Sequence, residues 1–348
     1  MHRMAGWMIP VLALACATSA QAGAKDKLAV QLSLPNPVVQ GDAEVLVDVA
    51  VTNSGSHAVK VLKWQLPSSG LQGKLFEVTK EDGSPARYVG PLIKRAAPKA
   101  GDYVTIAAGA TLNFQVDLGR SFELTDGRYA VSYLGRGRHG NEAEVASKRA
   151  VQLWTSGRSA ALRHDAQEMI SAQAAAATIT YTGSCTSSEK TTLASAVSAA
   201  TTYATNSYNY LKGISASTPR YLKWFGTYTA TRKSTVQTHY SNEVTAFTTK
   251  TITLDCSCSD TDTYAYVYPD SPYKIYVCGA FWSAPMTGTD SKGGTLVHEM
   301  SHFTVVAGTD DWAYGQTAAA ALAKSSPTKA VDNADSHEYF AENNPFLN

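Results

Sequence analysis

The 348-residue chain has a formal net charge of +1, with 44% hydrophobic and 17% charged residues. These values exclude a disordered or fibrous protein and give no reason to expect nucleic acid as a partner. At roughly 150 residues per domain, the length suggests two units. The first residues stand apart from both: Arg3 precedes an apolar run from about Met8 to Ala15, and Ala20-Gln21-Ala22 supplies the small residues a signal peptidase needs. A secretory signal over 1–22, cut after Ala22, is therefore expected. The run is too short to cross a bilayer, and no later stretch approaches about 18 uninterrupted apolar residues, so the product is expected to be exported without a membrane anchor.

Between residues 27 and 154 the chain reads as β-structure. Short runs at 27–34, 43–51, 59–66, 103–106, 112–118, 128–133 and 150–154 are separated by Gly, Pro, Asn and Asp, and several alternate apolar with polar residues. This spacing predicts an all-β sandwich of immunoglobulin-like type over 23–154. No catalytic constellation falls within it.

Residues 155–177, rich in Arg and Ala and ending in four alanines, belong to neither neighbour and read as a connector. Beyond them Thr186-Ser187-Ser188-Glu189 forms a capping box that opens a helix to about Lys212, stopped by Gly213. A second helical run is expected over 233–248. Short strands follow at 251–255, 264–268 and 274–277, then helices at 294–306, 317–323 and about 328–343. The unit 178–348 is thus predicted to be mainly helical with a small sheet, which makes the chain α+β. The half up to residue 177 is slightly basic and the rest slightly acidic, the sign expected if one docks on the other.

Cys16 leaves with the signal, while Cys185, Cys256, Cys258 and Cys278 all lie in the second half. An even set in an exported chain reads as two disulfides. On a strand, Cys256 and Cys258 point to opposite faces, which favours two different partners over a bond to each other. The competing reading, a structural zinc site, lacks the paired C-x-x-C spacing.

The chemistry lies at residues 298–302, His-Glu-Met-Ser-His. On a helix, residues four apart share a face, so His298 and His302 can aim both imidazoles at one ion while Glu299 sits beside its vacant position. Two neutral imidazoles leave a zinc ion room for a third protein ligand and a water, and a carboxylate nearby can take that water's proton. The flanks Thr295-Leu296-Val297 and Phe303-Thr304-Val305-Val306 are mostly apolar, so the three polar groups sit in a buried element and need a partner. The metzincin spacing fails, with Val305 and Gly308 where glycine and histidine are required. Instead Gly308 and Thr309 can turn the chain and bring back the carboxylate of Asp310 or Asp311.

His298-Glu299-Met300-Ser301-His302 followed by Gly308-Thr309-Asp310-Asp311-Trp312-Ala313-Tyr314-Gly315 resembles the deuterolysin-type aspzincins, whose marker is H-E-x-x-H then G-T-x-D-x-x-Y-G. The resemblance implies a zincin-type catalytic domain with one zinc ion on His298, His302 and Asp311. It implies Glu299 as general base and acid, Tyr314 as hydrogen-bond donor to the oxyanion, and disulfides 185–256 and 258–278. Asp310 stands at the variable position and reads as a turn residue. The segment 333–343 is similar to the part of peptidyl-Lys metalloendopeptidases that lines the pocket for the residue after the cut bond. There Asp335 and Glu338, three apart on one helix face, can hold the ammonium of a substrate lysine. His337 lies in the same segment and reads as packing; His57, His139, His164 and His239 lack companions at ligand spacing.

The β-rich unit is read as a propeptide that assists folding and blocks the site. It has no cysteine, which excludes a thiolate block of the zinc. For a pocket that takes lysine, the simplest block is a basic side chain, and the loop-like stretch 90–98 offers Lys94 and Arg95. Maturation is expected between Ala174 and Tyr181. No lysine lies between Lys148 and Lys190, so a lysine-directed enzyme needs another protease or trimming to make that end. The expected function is a secreted, monomeric zinc endopeptidase, made as an inactive precursor, that cuts protein and peptide substrates on the N-terminal side of Lys with a Glu-activated, zinc-bound water. The alternatives are a broader-specificity protease with the same chemistry and a non-catalytic secreted binding or adhesion protein.

Overall fold

Several strands of the first half bury every second side chain. In Leu46–Asn53 (β3) the buried positions are Val47, Val49, Val51 and Asn53. β3 pairs antiparallel with Leu28–Ser33 (β1) on one side and Thr111–Asp117 (β8) on the other. A second sheet runs in the order Val38–Gln40 (β2), Val151–Ser156 (β10), Gly127–Tyr133 (β9), Phe76–Lys80 (β5). Val59–Leu62 (β4) pairs with Tyr103–Ile106 (β7). Their inner faces share one apolar core containing Val47, Val49, Phe76, Tyr129, Val131 and Leu153, whose removal from water is the main force holding the sheets together. The computed structural model describes residues 28–68, 70–137, 144–158 and 178–348. The expected signal 1–22 and most of the 155–177 connector lie outside the described residues.

A separate core fills the second half. Its sheet runs in the order Thr178–Thr182 (β11), Thr251–Asp255 (β12), Lys274–Val277 (β14), Thr263–Val267 (β13), Leu92–Arg95 (β6). The fifth strand thus comes from the first half. The stretch 90–98, expected to be loop-like, is instead extended at its centre and pairs antiparallel with β13: Leu92 lies opposite Val267, Ile93 opposite Tyr266 and Lys94 opposite Ala265. An otherwise open sheet edge supplies the backbone partners that turn a proline-flanked segment into a strand.

Helices Ser187–Gly213 (α1), Pro219–Phe225 (α2), Ala230–Thr249 (α3), Gly279–Ser283 (α4), Lys292–His302 (α5), Gly315–Ser325 (α6), Pro327–Val331 (α7) and Ala334–Glu342 (α8) pack with this sheet. The capping box at the start of α1 forms: Thr186 Oγ1 accepts from Glu189 N at 3.2 Å, and the Glu189 carboxylate accepts from Thr186 N at 2.7 Å. All 11 residues of α5 are buried, and two glycines permit it. A Cβ on Gly293 would meet Ala199 at 2.9 Å, and one on Gly294 would meet Glu342 Oε1 at 2.1 Å. The predicted helix at 328–343 is two helices, because Asp332 and Asn333 leave the helical path to pair with Asp310. Cys185 bonds Cys256, and Cys258 bonds Cys278.

Candidate active site and metal centre

α5 brings the two histidines together with their Nε2 atoms 3.1 Å apart. Asp311 Oδ1 lies 3.3 Å from His298 Nε2 and 3.4 Å from His302 Nε2. Bonds of about 2.0–2.1 Å to a tetrahedral ion place neighbouring ligand atoms about 3.3–3.4 Å apart, so the three donors fit zinc. Their surroundings agree: both Asp311 oxygens and both Glu299 oxygens are buried without a hydrogen-bond partner, a costly state for carboxylates unless a cation faces them.

The loop that carries Asp311 is clamped along its length. Gly308 takes a positive φ of 63°, a conformation open to glycine at no steric cost. Thr309 then bonds back to α5: its hydroxyl lies 2.6 Å from Ser301 Oγ, and its carbonyl 2.8 Å from His302 Nδ1. Farther along, Asn333 Oδ1 accepts from Trp312 N at 2.9 Å and Ala313 N at 3.0 Å. Glu299 is fully buried, and desolvation pushes its carboxyl up to about 7, with the two imidazoles pulling the other way.

Strand β6 crosses directly over this centre. The Tyr314 hydroxyl donates to the carbonyl oxygen of Ile93 at 2.6 Å. The next side chain, Lys94, is 2% exposed; its ammonium lies 2.5 Å from Glu338 Oε2, 3.6 Å from Asp335 Oδ1 and 3.8 Å from Asp290 Oδ1. Burial disfavours the ammonium, but these carboxylates more than offset that and hold its pKa well above the usual lysine range. Arg95, the neighbouring residue, points away, bonded to Gln72 and lying over Trp64. Adjacent residues of a strand face opposite sides, so only one of the two can enter the pocket.

A family model described as lysine-specific metallo-endopeptidase, the aspzincin model, matches residues 210–342. An extracellular protease of Aeromonas hydrophila is 42% identical over 320 residues, covering 89% of this chain and 92% of that protein. A peptidyl-Lys metalloendopeptidase of Grifola frondosa is 38% identical over 356 residues, covering 97% of this chain and 98% of that one. The chain belongs to the aspzincin family. It is a zinc metalloendopeptidase, which sets aside the reading as a binding or adhesion protein. A third relative, a peptidyl-Lys metalloendopeptidase of Pleurotus ostreatus, is 52% identical over 168 residues that cover 48% of this chain but 99% of its own length.

Several residues of this aspzincin site lie beyond what its sequence suggested. Asp335 faces two ways: its Oδ1 is 2.8 Å from His298 Nδ1, on the opposite side of the ring from the metal-facing nitrogen, and its Oδ2 accepts from Gly315 N at 2.6 Å. The residue read as a lysine contact thus also borders a metal-facing histidine, an arrangement that fixes ring orientation in zinc sites. Asp290 adds a third carboxylate, and its Oδ1 accepts from the Tyr339 hydroxyl at 2.6 Å. The Tyr264 ring lies 5.2 Å from the Lys94 ammonium. Asp310, read as a turn residue, is instead buried and ion-paired to Lys74 and Arg136. His337 packs among Phe225, His239 and Tyr240, away from the zinc ligand atoms.

Proposed function

We propose that this aspzincin is exported as a latent precursor and, once its N-terminal half is displaced, hydrolyses the peptide bond before a lysine. The observation that carries the reading is Lys94, an internal lysine in the Asp335–Glu338 pocket whose preceding carbonyl accepts from Tyr314. A substrate bound in the same way has its lysine after the bond to be cut and that bond's carbonyl oxygen on the Tyr314 hydroxyl. The first half, which delivers Lys94, is then the propeptide and its own inhibitor.

His298, His302 and Asp311 would hold the zinc. When bound there, the ion supplies Lewis-acid chemistry, acidifying water and polarising a carbonyl. Glu299 accepts a proton from the attacking water and returns it to the amine that leaves as the carbon–nitrogen bond breaks. Tyr314 donates to the carbonyl oxygen as negative charge develops on it, the moment at which such a hydrogen bond gains most. The edge of β13 aligns the substrate backbone, as it aligns β6. Asp335 and Glu338, with Asp290 and the Tyr264 ring, neutralise the lysine ammonium.

For the first half, two packed sheets and a Tyr129 hydroxyl that donates to the Thr125 carbonyl at 2.9 Å support the immunoglobulin-like reading. Release between Ala174 and Tyr181 would leave a chain beginning near β11, and the half-length Pleurotus relative supports an enzyme of that size. The Aeromonas relative's name fits export.

The test is a digest of an unrelated protein by the activated enzyme, with new N-termini identified by mass spectrometry. Lysine at nearly all of them, with cleavage abolished by a chelator and restored by zinc, is the expected result. Chelator-sensitive cleavage with no residue enriched there would replace the lysine reading with the broader-specificity one.

A further inference from the structure

A second buried cation of the N-terminal half sits on the catalytic half. Arg136 is 6% exposed, and its guanidinium carbon lies 3.7 Å from the centre of the Trp312 ring. One of its terminal nitrogens bonds Asp310 Oδ2, the oxygen that Lys74 Nζ reaches at 3.0 Å; the other lies 3.4 Å from Glu77 of its own half. The indole of Trp312 and the backbone of Asp310 are held by contacts within the catalytic half. Trp312 Nε1 donates to Asp332 Oδ2 at 2.8 Å, and Asp310 N donates to the Asp332 carbonyl at 2.8 Å. The Lys329 ammonium lies 4.1 Å from the same ring.

A fixed indole face with a carboxylate beside it suits a planar, weakly hydrated guanidinium better than a compact ammonium. The place is also next to the chemistry. Gly137 N donates to the carbonyl oxygen of Asp311 at 2.9 Å, and a Cβ on Gly137 would come within 2.7 Å of the Tyr314 ring. A chain that seats an arginine here runs past the backbone of a metal-facing carboxylate and the ring whose hydroxyl meets Ile93.

We propose that Trp312 and Asp310 form a guanidinium subsite beside the cleft, filled by Arg136 while the N-terminal half is docked and open to an arginine of a protein substrate once that half has left. The proposal rests on the reading of the first half as a displaced inhibitor. It makes the enzyme doubly selective for basic segments, with lysine read at the cut bond and arginine at a flanking position. It also gives both buried cations of the first half one role, each occupying an acidic site of the enzyme.

The test uses the full-length chain, zinc-loaded and activated by release of its N-terminal half. Peptides keep lysine after the cut bond and move a single arginine through the flanking positions, each paired with a citrulline peptide of the same shape and no charge. Arginine is expected to raise kcat/KM over citrulline by about tenfold at one position, the weight of a stacked, charge-assisted contact. Asp310→Asn and Trp312→Leu should each bring that ratio close to one; because both peptides are cut by the same variant, a general loss of activity cancels. A ratio near one at every position in the parent, or a preference that survives both substitutions, overturns the subsite. Replacing the lysine itself with norleucine tests the other reading separately: undiminished cleavage there contradicts the lysine pocket and leaves the arginine ratio intact.

Discussion

The two halves of the molecule treat buried charge in opposite ways. Among the described residues, the interior of the N-terminal half is apolar apart from a few hydroxyl and amide groups, and its only buried charged side chains are Lys94 and Arg136. The catalytic half buries Glu243, Lys292, His298, Glu299, His302, Asp310, Asp311, Asp335, His337, Glu338 and Glu342, among others. Burying a charge is expensive unless a partner compensates it. In the second half His298, Glu299, His302, Asp311, Asp335 and Glu338 gather at one site while others, such as Lys292 and Glu342, tie loops and helix ends together, and the two buried cations of the first half both reach carboxylates of the second. One half is a scaffold; the other is a reactive centre whose acidic sites the scaffold covers.

That contrast can be broken most severely at Glu299. Glu299→Gln keeps the size of a side chain whose oxygens have no hydrogen-bond partner, so the fold should survive. Loss of the proton acceptor should lower kcat on a lysine peptide by about 10²–10⁴-fold. A variant as active as the parent would remove Glu299 from the chemistry.

Tyr314→Phe comes next. It deletes the hydroxyl that donates to Ile93 O and should lower kcat by about 10²–10³-fold, with KM little changed. A change in KM alone would make Tyr314 a substrate-binding residue instead.

The smallest effect separates the halves by stability. Both disulfides lie in the second half, and Cys185–Cys256 spans 71 residues of chain. Reduction should destabilise the catalytic half by about 2–5 kcal/mol and leave the cysteine-free first half untouched. Thermal melts followed by Trp312 and Trp154 environments, with and without reductant, check this. Equal shifts in both would mean that the halves melt as one unit.

What the sequence made legible was local. His298 and His302 are four apart on one helix, and the Gly308-Thr309 turn lies a few residues on, so spacing alone brings their chemistry together. Asp335 and Glu338 share a helix face, but spacing alone reads as a solvated acidic surface, and it is the likeness of 333–343 to peptidyl-Lys metalloendopeptidases that makes them pocket candidates. What was not legible depended on contacts across long stretches of chain. β6 reads as a loop because its strand partner, β13, is about 170 residues away. With the strand unseen, nothing chose between Lys94 and Arg95. Asp290 and Tyr264 reach the pocket from separate segments, and the burial of Asp310 depends on Arg136 from the other half. The break between α7 and α8 was equally hidden, since its cause is the pairing of Asn333 with Asp310.

If the pocket that selects the substrate is the one the chain fills with its own Lys94, emptying it should release activity. Unprocessed full-length chain, with zinc, can be assayed on a short lysine peptide beside its Lys94→Met variant. Removing one member of a buried ion pair weakens the contact by about 3–5 kcal/mol, so the variant should cut the peptide at least about 100-fold faster than the unprocessed parent. Equal, low rates in both would contradict the account, because the N-terminal half would then block the site without Lys94.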